Sequence, residues 1–248
     1  LRIHAIGDPH LSLGRPKPMD IFGPLWVDHP AKLAAAWDRC VAAEDVVLVV
    51  GDISWARRLE EAAPDLEYLA SRRGALKVLI RGNHDSWWTS AHKVRAALPK
   101  TLAILHHDAI RLEQGVVLCG ARGWNVPGSP WFDATSDQPI YERELARLDL
   151  SLRAAASLRQ PGDALIALLH YPPVAPQSEQ SEVNLRLERA QVDLVVYGHL
   201  HGEDHAWAPQ GRIGQLQLRF VAADFTRFTP VAVWEQGLGV IDLDAPRL

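Results

Sequence analysis

Nine side chains that can bind metal or move protons stand where short apolar runs stop: Asp8, His10, Asp52, Asn83, His84, Asp85, His170, His199 and His201. Each alone has an ordinary reading. An Asp after a strand forms a turn, and His199 and His201 can share one solvent face of an edge strand, since residues i and i+2 point the same way. Their conjunction carries the chemistry. Side chains at the C-terminal ends of neighbouring strands converge, and ligands collect at that edge of a sheet. With His84 and Asp85 set aside, the edge gathers two carboxylates, one carboxamide and four imidazoles. Seven nitrogen and oxygen donors are too many for one tetrahedral zinc. They suit two five- or six-coordinate ions that share a bridging carboxylate. Left unpaired, so many polar groups in one pocket carry a heavy desolvation cost. Imidazole and oxygen without thiolate suit Mn, Fe, Zn or Co, and manganese is the first expectation.

The elements that must position these residues are short strands alternating with helices. Strands are expected over residues 2–6, 45–50, 75–80, 164–169 and 193–197, each ending at a Gly or at one of the polar residues above. The run at 45–50 is apolar throughout its Val and Leu positions, which reads as a strand buried on both faces. Helices are expected over 31–43, over 59–72 with Pro64 interrupting it or starting a second helix, and over 139–158, where Tyr141, Leu145, Leu148 and Leu152 form one apolar stripe. Residues 110–112 and 116–118 read as a hairpin, and strands follow at 216–221, 231–234 and 240–243. The pattern is α/β with a β-rich C-terminal part, in a single domain over 1–248. Residues 11–30 and 122–138 resist assignment, and long irregular loops in compact domains are usually functional or mobile. The first is expected to be a lid or substrate wall, its Phe22 and Trp26 stacking on a base or filling a gap in the core. Trp87 and Trp88 line the pocket or pack on the core.

Asp8-x-His10, Gly51-Asp52, Gly82-Asn83-His84-Asp85, His170 and Gly198-His199-x-His201, in this order across residues 7–201, resemble the calcineurin-like metallophosphoesterase superfamily. The resemblance implies two mixed β-sheets packed as a sandwich flanked by helices, in four αββα layers, with a dinuclear centre at one end. It assigns Asp8, His10, Asp52 and His201 to one metal, and Asp52, Asn83, His170 and His199 to the other, with Asp52 bridging. It makes His84 a non-ligand near the leaving oxygen, the general acid, and Asp85 the partner that orients the His84 ring. Two divalent ions outweigh the charges of Asp8, Asp52 and a bridging hydroxide, so the pocket is expected to be positive and to attract phosphate. Such a hydroxide forms near neutral pH and attacks phosphorus in line. Asn83, His84, Arg122 and Trp124 are the expected substrate contacts, Arg122 by bidentate pairing with phosphate.

Gly51-Asp52 continues as Ile53-Ser54-Trp55-Ala56 rather than the Asp-Arg-Gly run of the superfamily's protein Ser/Thr phosphatases. The chain therefore looks most like the compact bacterial phosphohydrolases and phosphodiesterases of the group. Two other readings differ in function. A silent scaffold that keeps the fold for protein binding is expected to lose ligands, whereas every ligand position here is filled. A single-strand nuclease needs a basic or aromatic groove, which the sequence does not display.

Composition agrees with a globular enzyme. The 248 residues are 48% hydrophobic and 23% charged, and the net charge of −4 argues against a partner such as duplex nucleic acid or an anionic membrane. Cys40 and Cys119 are too few for a disulfide framework, and Cys119 reads as a buried small hydrophobe. No apolar run approaches a membrane span, and the first residues show no signal-peptide core, so the cytoplasm is the expected location.

Overall fold

Runs of Val, Leu and Ile that are apolar at every position form the centres of two sheets. The computed structural model describes residues 1–178 and 180–241. In the first sheet, β1 (Arg2–Ile6), β2 (Val46–Val50), β3 (Leu76–Ile80) and β4 (Leu102–Ile104) run parallel. Antiparallel β11 (Val231–Glu235) and β12 (Gly239–Val240) extend it beyond β1. In the second, β6 (Val116–Ala121), β7 (Ala164–Leu169), β8 (Leu194–Tyr197) and β10 (Leu216–Phe220) are parallel. Antiparallel β5 (Ala109–Leu112) and β9 (Gly211–Ile213) form its two edges.

Alternation along each strand separates the layers. Val46, Leu48 and Val50 of β2 join Ile3 and Ala5 of β1 against Ile166 and Leu168 of β7 and Val196 of β8, which is the core between the sheets. Val47 and Val49 point the other way, onto Leu33 and Trp37 of α1 (His29–Cys40) and Leu66 of α2 (Leu59–Ala70). Val117, Leu165 and Val195 pack likewise under α4 (Ala134–Leu158) and α5 (Glu182–Arg189), where the Tyr141, Leu145, Leu148 and Leu152 stripe faces inward. Each fully buried Val or Leu contributes about 1.5–3 kcal/mol. Two mixed six-stranded sheets with helices outside are the expected four layers.

The differences from expectation are local. Pro64 does not interrupt α2, which is continuous through it. The proline removes one N–H donor, whose acceptor would be the carbonyl of Glu60 on the exposed face. Helix α4 begins five residues before Pro139, because the Asp133 carboxylate accepts the amides of Thr135 and Ser136 and supplies an N-cap. The irregular segment 122–138 is shortened accordingly. Short elements without a clear periodic signal also form: α3 (Ala91–Ala97), β4, β9, and α5, which a Ser181–Asn184 capping box starts. Of the strand expected at 240–243, β12 reaches Val240, and residues 242 and 243 lie outside the described residues. Cys119 is buried, and burial pushes its thiol up to about 12. No helix among the described residues is long and apolar enough to cross a membrane.

Candidate metal centre

Parallel strands put their C-terminal ends at one edge, and here the edges of both sheets meet. The Gly7 amide donates to the Val221 carbonyl, 2.6 Å away, tying the end of β1 to the end of β10. The Asp8 and His10 amides donate to the carbonyls of Gly51 and Asp52 at 3.0 Å, so the loops after β1 and β2 stay paired beyond the strands. Asp8, His10, Asp52 and His199 all take positive φ, at 55°, 44°, 47° and 78°. Non-glycine residues rarely adopt this conformation, and it gathers at functional sites.

The neighbouring glycines are steric necessities. A Cβ on Gly82 would lie 2.1 Å from Asp52 Oδ1, one on Gly198 2.1 Å from Asp8 Oδ2, and one on Gly51 2.5 Å from His170 Nδ1. Gly-Asp, Gly-Asn-His-Asp and Gly-His thus have a packing reason: carboxylate and imidazole occupy the space a side chain would take.

Asp8, His10 and His201 bring ligand atoms within 4.8 Å of one another, and so do Asp8, Asp52 and His170. Asp52 faces both groups. Its Oδ2 lies 3.7 Å from His10 Nε2, and its Oδ1 lies 3.5 Å from His170 Nε2. Asn83 Oδ1 is 2.7 Å from His170 Nε2. The His199 ring lies 5.0 Å from the His170 ring and packs on Tyr171 at 3.9 Å, while its amide donates to the Asp8 carboxylate.

The donors fit cations and do not satisfy one another. His170 Nδ1 lies 3.0 Å from the Val50 carbonyl, which selects the tautomer that donates there and leaves Nε2 as a lone pair. Burial, first of all, holds this imidazole down to about 3, so it stays neutral. Its Nε2 therefore faces Asn83 Oδ1 acceptor to acceptor, a contact that a cation resolves. His201 is held in a similar way but differs in charge: Nδ1 pairs with Asp224 Oδ1 at 2.9 Å, and Nε2 points at His10 Nε2, 3.2 Å away. Burial by itself would lower His201, but the hydrogen bond to Asp224 and the charges of Asp8 and Asp224 carry it up to about 9, so the ring holds a proton that a bound cation would displace. Buried Asp8 and Asp52 are both raised, Asp8 strongly, because burial penalises their charged forms. His10 Nδ1 is buried with no hydrogen-bond partner among the described residues.

Four expected positions turn out differently or were not foreseen. Asp85 does not orient the His84 ring. Its carboxylate accepts from the amides of Ile53, Ser54 and Gly82 at 2.8, 3.1 and 2.8 Å and from the Trp87 indole at 2.9 Å, which fastens together the two loops that carry Asp52 and Asn83. Burial, then the charge of Asp52, push it up to about 7. Arg122 turns to Glu144 at 2.8 Å and covers the Trp124 ring at 4.7 Å, and the small cavity it lines with Arg81 and Arg147 is separate from Asp8, His10, Asp52, Asn83, His170, His199 and His201. Trp124 packs on Tyr171 rather than into a cavity beside His84. Asp224 was missed, although its place just after β10 follows the same strand-end rule that located the others. His84 does reach the centre: its amide donates to Asp52 Oδ1 at 2.8 Å, and its half-exposed ring sets Nε2 3.9 Å from Asp52 Oδ2. Trp87 and Trp88 are core residues, as one of the two expectations had it.

The calcineurin-like phosphoesterase family model matches residues 1–203. The chain belongs to this family. No curated protein matches it by sequence. Among solved structures, a protein of unknown function from Aquifex aeolicus, AQ665, aligns over 93% of this chain and 95% of its own at 13% identity, with a TM-score of 0.47. A second structure aligns over 88% of each chain at 14% identity with a TM-score of 0.53, a likeness of fold. Family membership and the Asp/His clusters together support a metal-dependent phosphoesterase.

Proposed function

We propose that this calcineurin-like phosphoesterase hydrolyses a phosphodiester or small phosphorylated metabolite at a centre that takes two divalent cations. Asp8, His10, Asp52 and His201 would hold one, and Asp52, Asn83, His170 and His199 the other. The observation that carries the reading is Asp52, whose two carboxylate oxygens face imidazoles of different groups at 3.7 and 3.5 Å. Bound there, divalent ions supply Lewis acidity toward phosphoryl oxygens and lower the pKa of water, and manganese is the first choice.

The chain's own residues do the remaining work. The Val50 carbonyl fixes the tautomer of His170, and Asp224 holds the His201 ring, so that both Nε2 atoms face inward and His201 would give up its Nε2 proton to a bound cation. His84, with its ring open to the cavities on either side, gives a proton to the leaving oxygen.

The test is a metal-stripped chain reconstituted with manganese and assayed on alkyl and nitrophenyl phosphodiesters. Two ions per chain and manganese-dependent turnover are expected, and turnover undiminished by chelation overturns the reading. His84→Ala should lower turnover of alkyl esters at least about 100-fold and of nitrophenyl esters much less, because a good leaving group needs no proton. Equal losses on both would remove His84 as the acid.

A further inference from the structure

Two cavities flank His84 and share Trp55 as a wall. One, of about 460 Å³, is lined by Arg15, Lys17 and Arg57. Among the described residues neither Lys17 nor Arg57 forms an ion pair, and Lys17 Nζ rests 4.3 Å over the Trp55 ring. The other, of about 590 Å³, is built by Met19, Phe22, Pro24, Leu25 and Trp26 and reaches His10, His84 and His201. The irregular segment after β1 is thus a wall of the site, formed by two short 3-10 turns over Asp20–Phe22 and Pro24–Trp26.

The apolar cavity is poorly made for a base. Among the described residues its wall contains no amide or hydroxyl side chain. Its carboxylate, Asp224, is already engaged by His201, the Gly202 amide and His205. Reading a base requires hydrogen bonds to its edge and an aromatic face to stack on. The Trp55 ring has His10 stacked on it at 5.1 Å besides Lys17, and Trp26 is 5% exposed, wedged edge-on against His10, His201 and Phe228. The same segment exposes Ile21, Phe22, Leu25 and Val27 at 68, 56, 39 and 51%. Large apolar side chains left in water mark a surface that contacts apolar matter, and two of these, Phe22 and Leu25, line the cavity itself.

Resting on the phosphoesterase reading above, we propose that the substrate is a single-chain amphiphile, a phosphoester carrying a linear alkyl chain. The chain lies in the Met19–Trp26 cavity, and the anionic end faces Arg15, Lys17 and Arg57 across His84. The apolar wall and the cations Lys17 and Arg57, joined by Arg15 at 3.6 Å from Glu61, match the two halves of such a molecule.

The test is calorimetric binding of methyl-, butyl- and octylphosphonate, below micelle-forming concentrations, to the manganese-loaded chain, with adenosine monophosphate as the nucleotide probe. Affinity should rise about two- to fourfold per methylene, and adenosine monophosphate should bind no tighter than methylphosphonate. Phe22→Ser and Leu25→Ser, both at exposed positions, should flatten the chain-length slope while leaving methylphosphonate affinity and circular dichroism unchanged. A flat profile in the wild type, a slope the variants do not alter, or adenosine monophosphate binding tighter than octylphosphonate overturns the proposal. Hydrolysis of methyl nitrophenyl phosphate by the same preparation separates the two claims. Turnover with a flat binding profile removes the alkyl-chain site alone, and chain-dependent binding without turnover removes the hydrolytic reading and keeps the site.

Discussion

Gly198→Ala would disturb the centre without removing a ligand. The added methyl would lie 2.1 Å from Asp8 Oδ2, where ordinary contact begins at 3.4 Å, so the carboxylate must move by roughly 1.3 Å. Asp8 is fully buried and receives the His199 amide at 3.0 Å, so it moves only by dragging the His199 loop with it. Misplacing a supporting group by this much lowers metal affinity about 10- to 100-fold, or ~1.4–2.7 kcal/mol, and turnover by about 100-fold. Manganese titration by calorimetry reads the first and steady-state rates on a nitrophenyl diester the second. Gly162→Ala is the control. Its φ of +88° imposes strain, but nothing lies within 4 Å of the new methyl. It should cost about 1 kcal/mol of stability and leave metal affinity untouched. If Gly198→Ala binds manganese and turns over like the wild type, the claim that glycine here makes room for the carboxylate is wrong.

Three further outcomes follow from individual contacts. Asp85→Ala strands three backbone amides and an indole, and urea denaturation should show a loss of about 3 kcal/mol or more; unchanged stability with losses on alkyl esters alone would restore Asp85 as a partner of the His84 ring. Asp224→Asn leaves His201 without its anionic partner and should weaken manganese binding about 10- to 100-fold, whereas equal affinity would mean that the pair does not support the centre. Burial holds His107 down to about 4, against 6.5 in an unfolded chain. The folded state then carries fewer protons, so stability is full above pH 6.5 and falls as the pH drops from 6.5 toward 4. His107→Asn should flatten that part of a pH series of urea midpoints, and an unaltered slope would show that His107 contributes nothing to it.

The sheets were legible because their central strands are apolar on both faces, and the centre was legible because its residues follow those strands directly. The 45–50 run and Gly51-Asp52 are the plainest example. Helix boundaries were harder: Pro64 looked like a break or a second start and Pro139 like a first residue, yet each lies inside a helix at the cost of a single backbone hydrogen bond, and packing of the apolar stripes outweighs it. Residue type suggested Arg122 as a phosphate contact, but the direction of a long side chain is decided by Glu144, which lies 22 positions away in the sequence. Asp85 sits beside His84 in sequence, but its carboxylate is claimed by the Ile53 and Ser54 amides of a different loop together with Gly82 and Trp87 of its own. Neighbours in the chain said little about partners in space.

His10 and His201 stand 191 positions apart, and their facing nitrogens belong to loops of different sheets. During synthesis the N-terminal half emerges first, with Asp8, His10 and Asp52 in hand but neither His201 nor His170. A cation arriving then finds an incomplete set of donors. The proposed centre would therefore be complete only once both halves have docked, and its filling would mark that step of assembly.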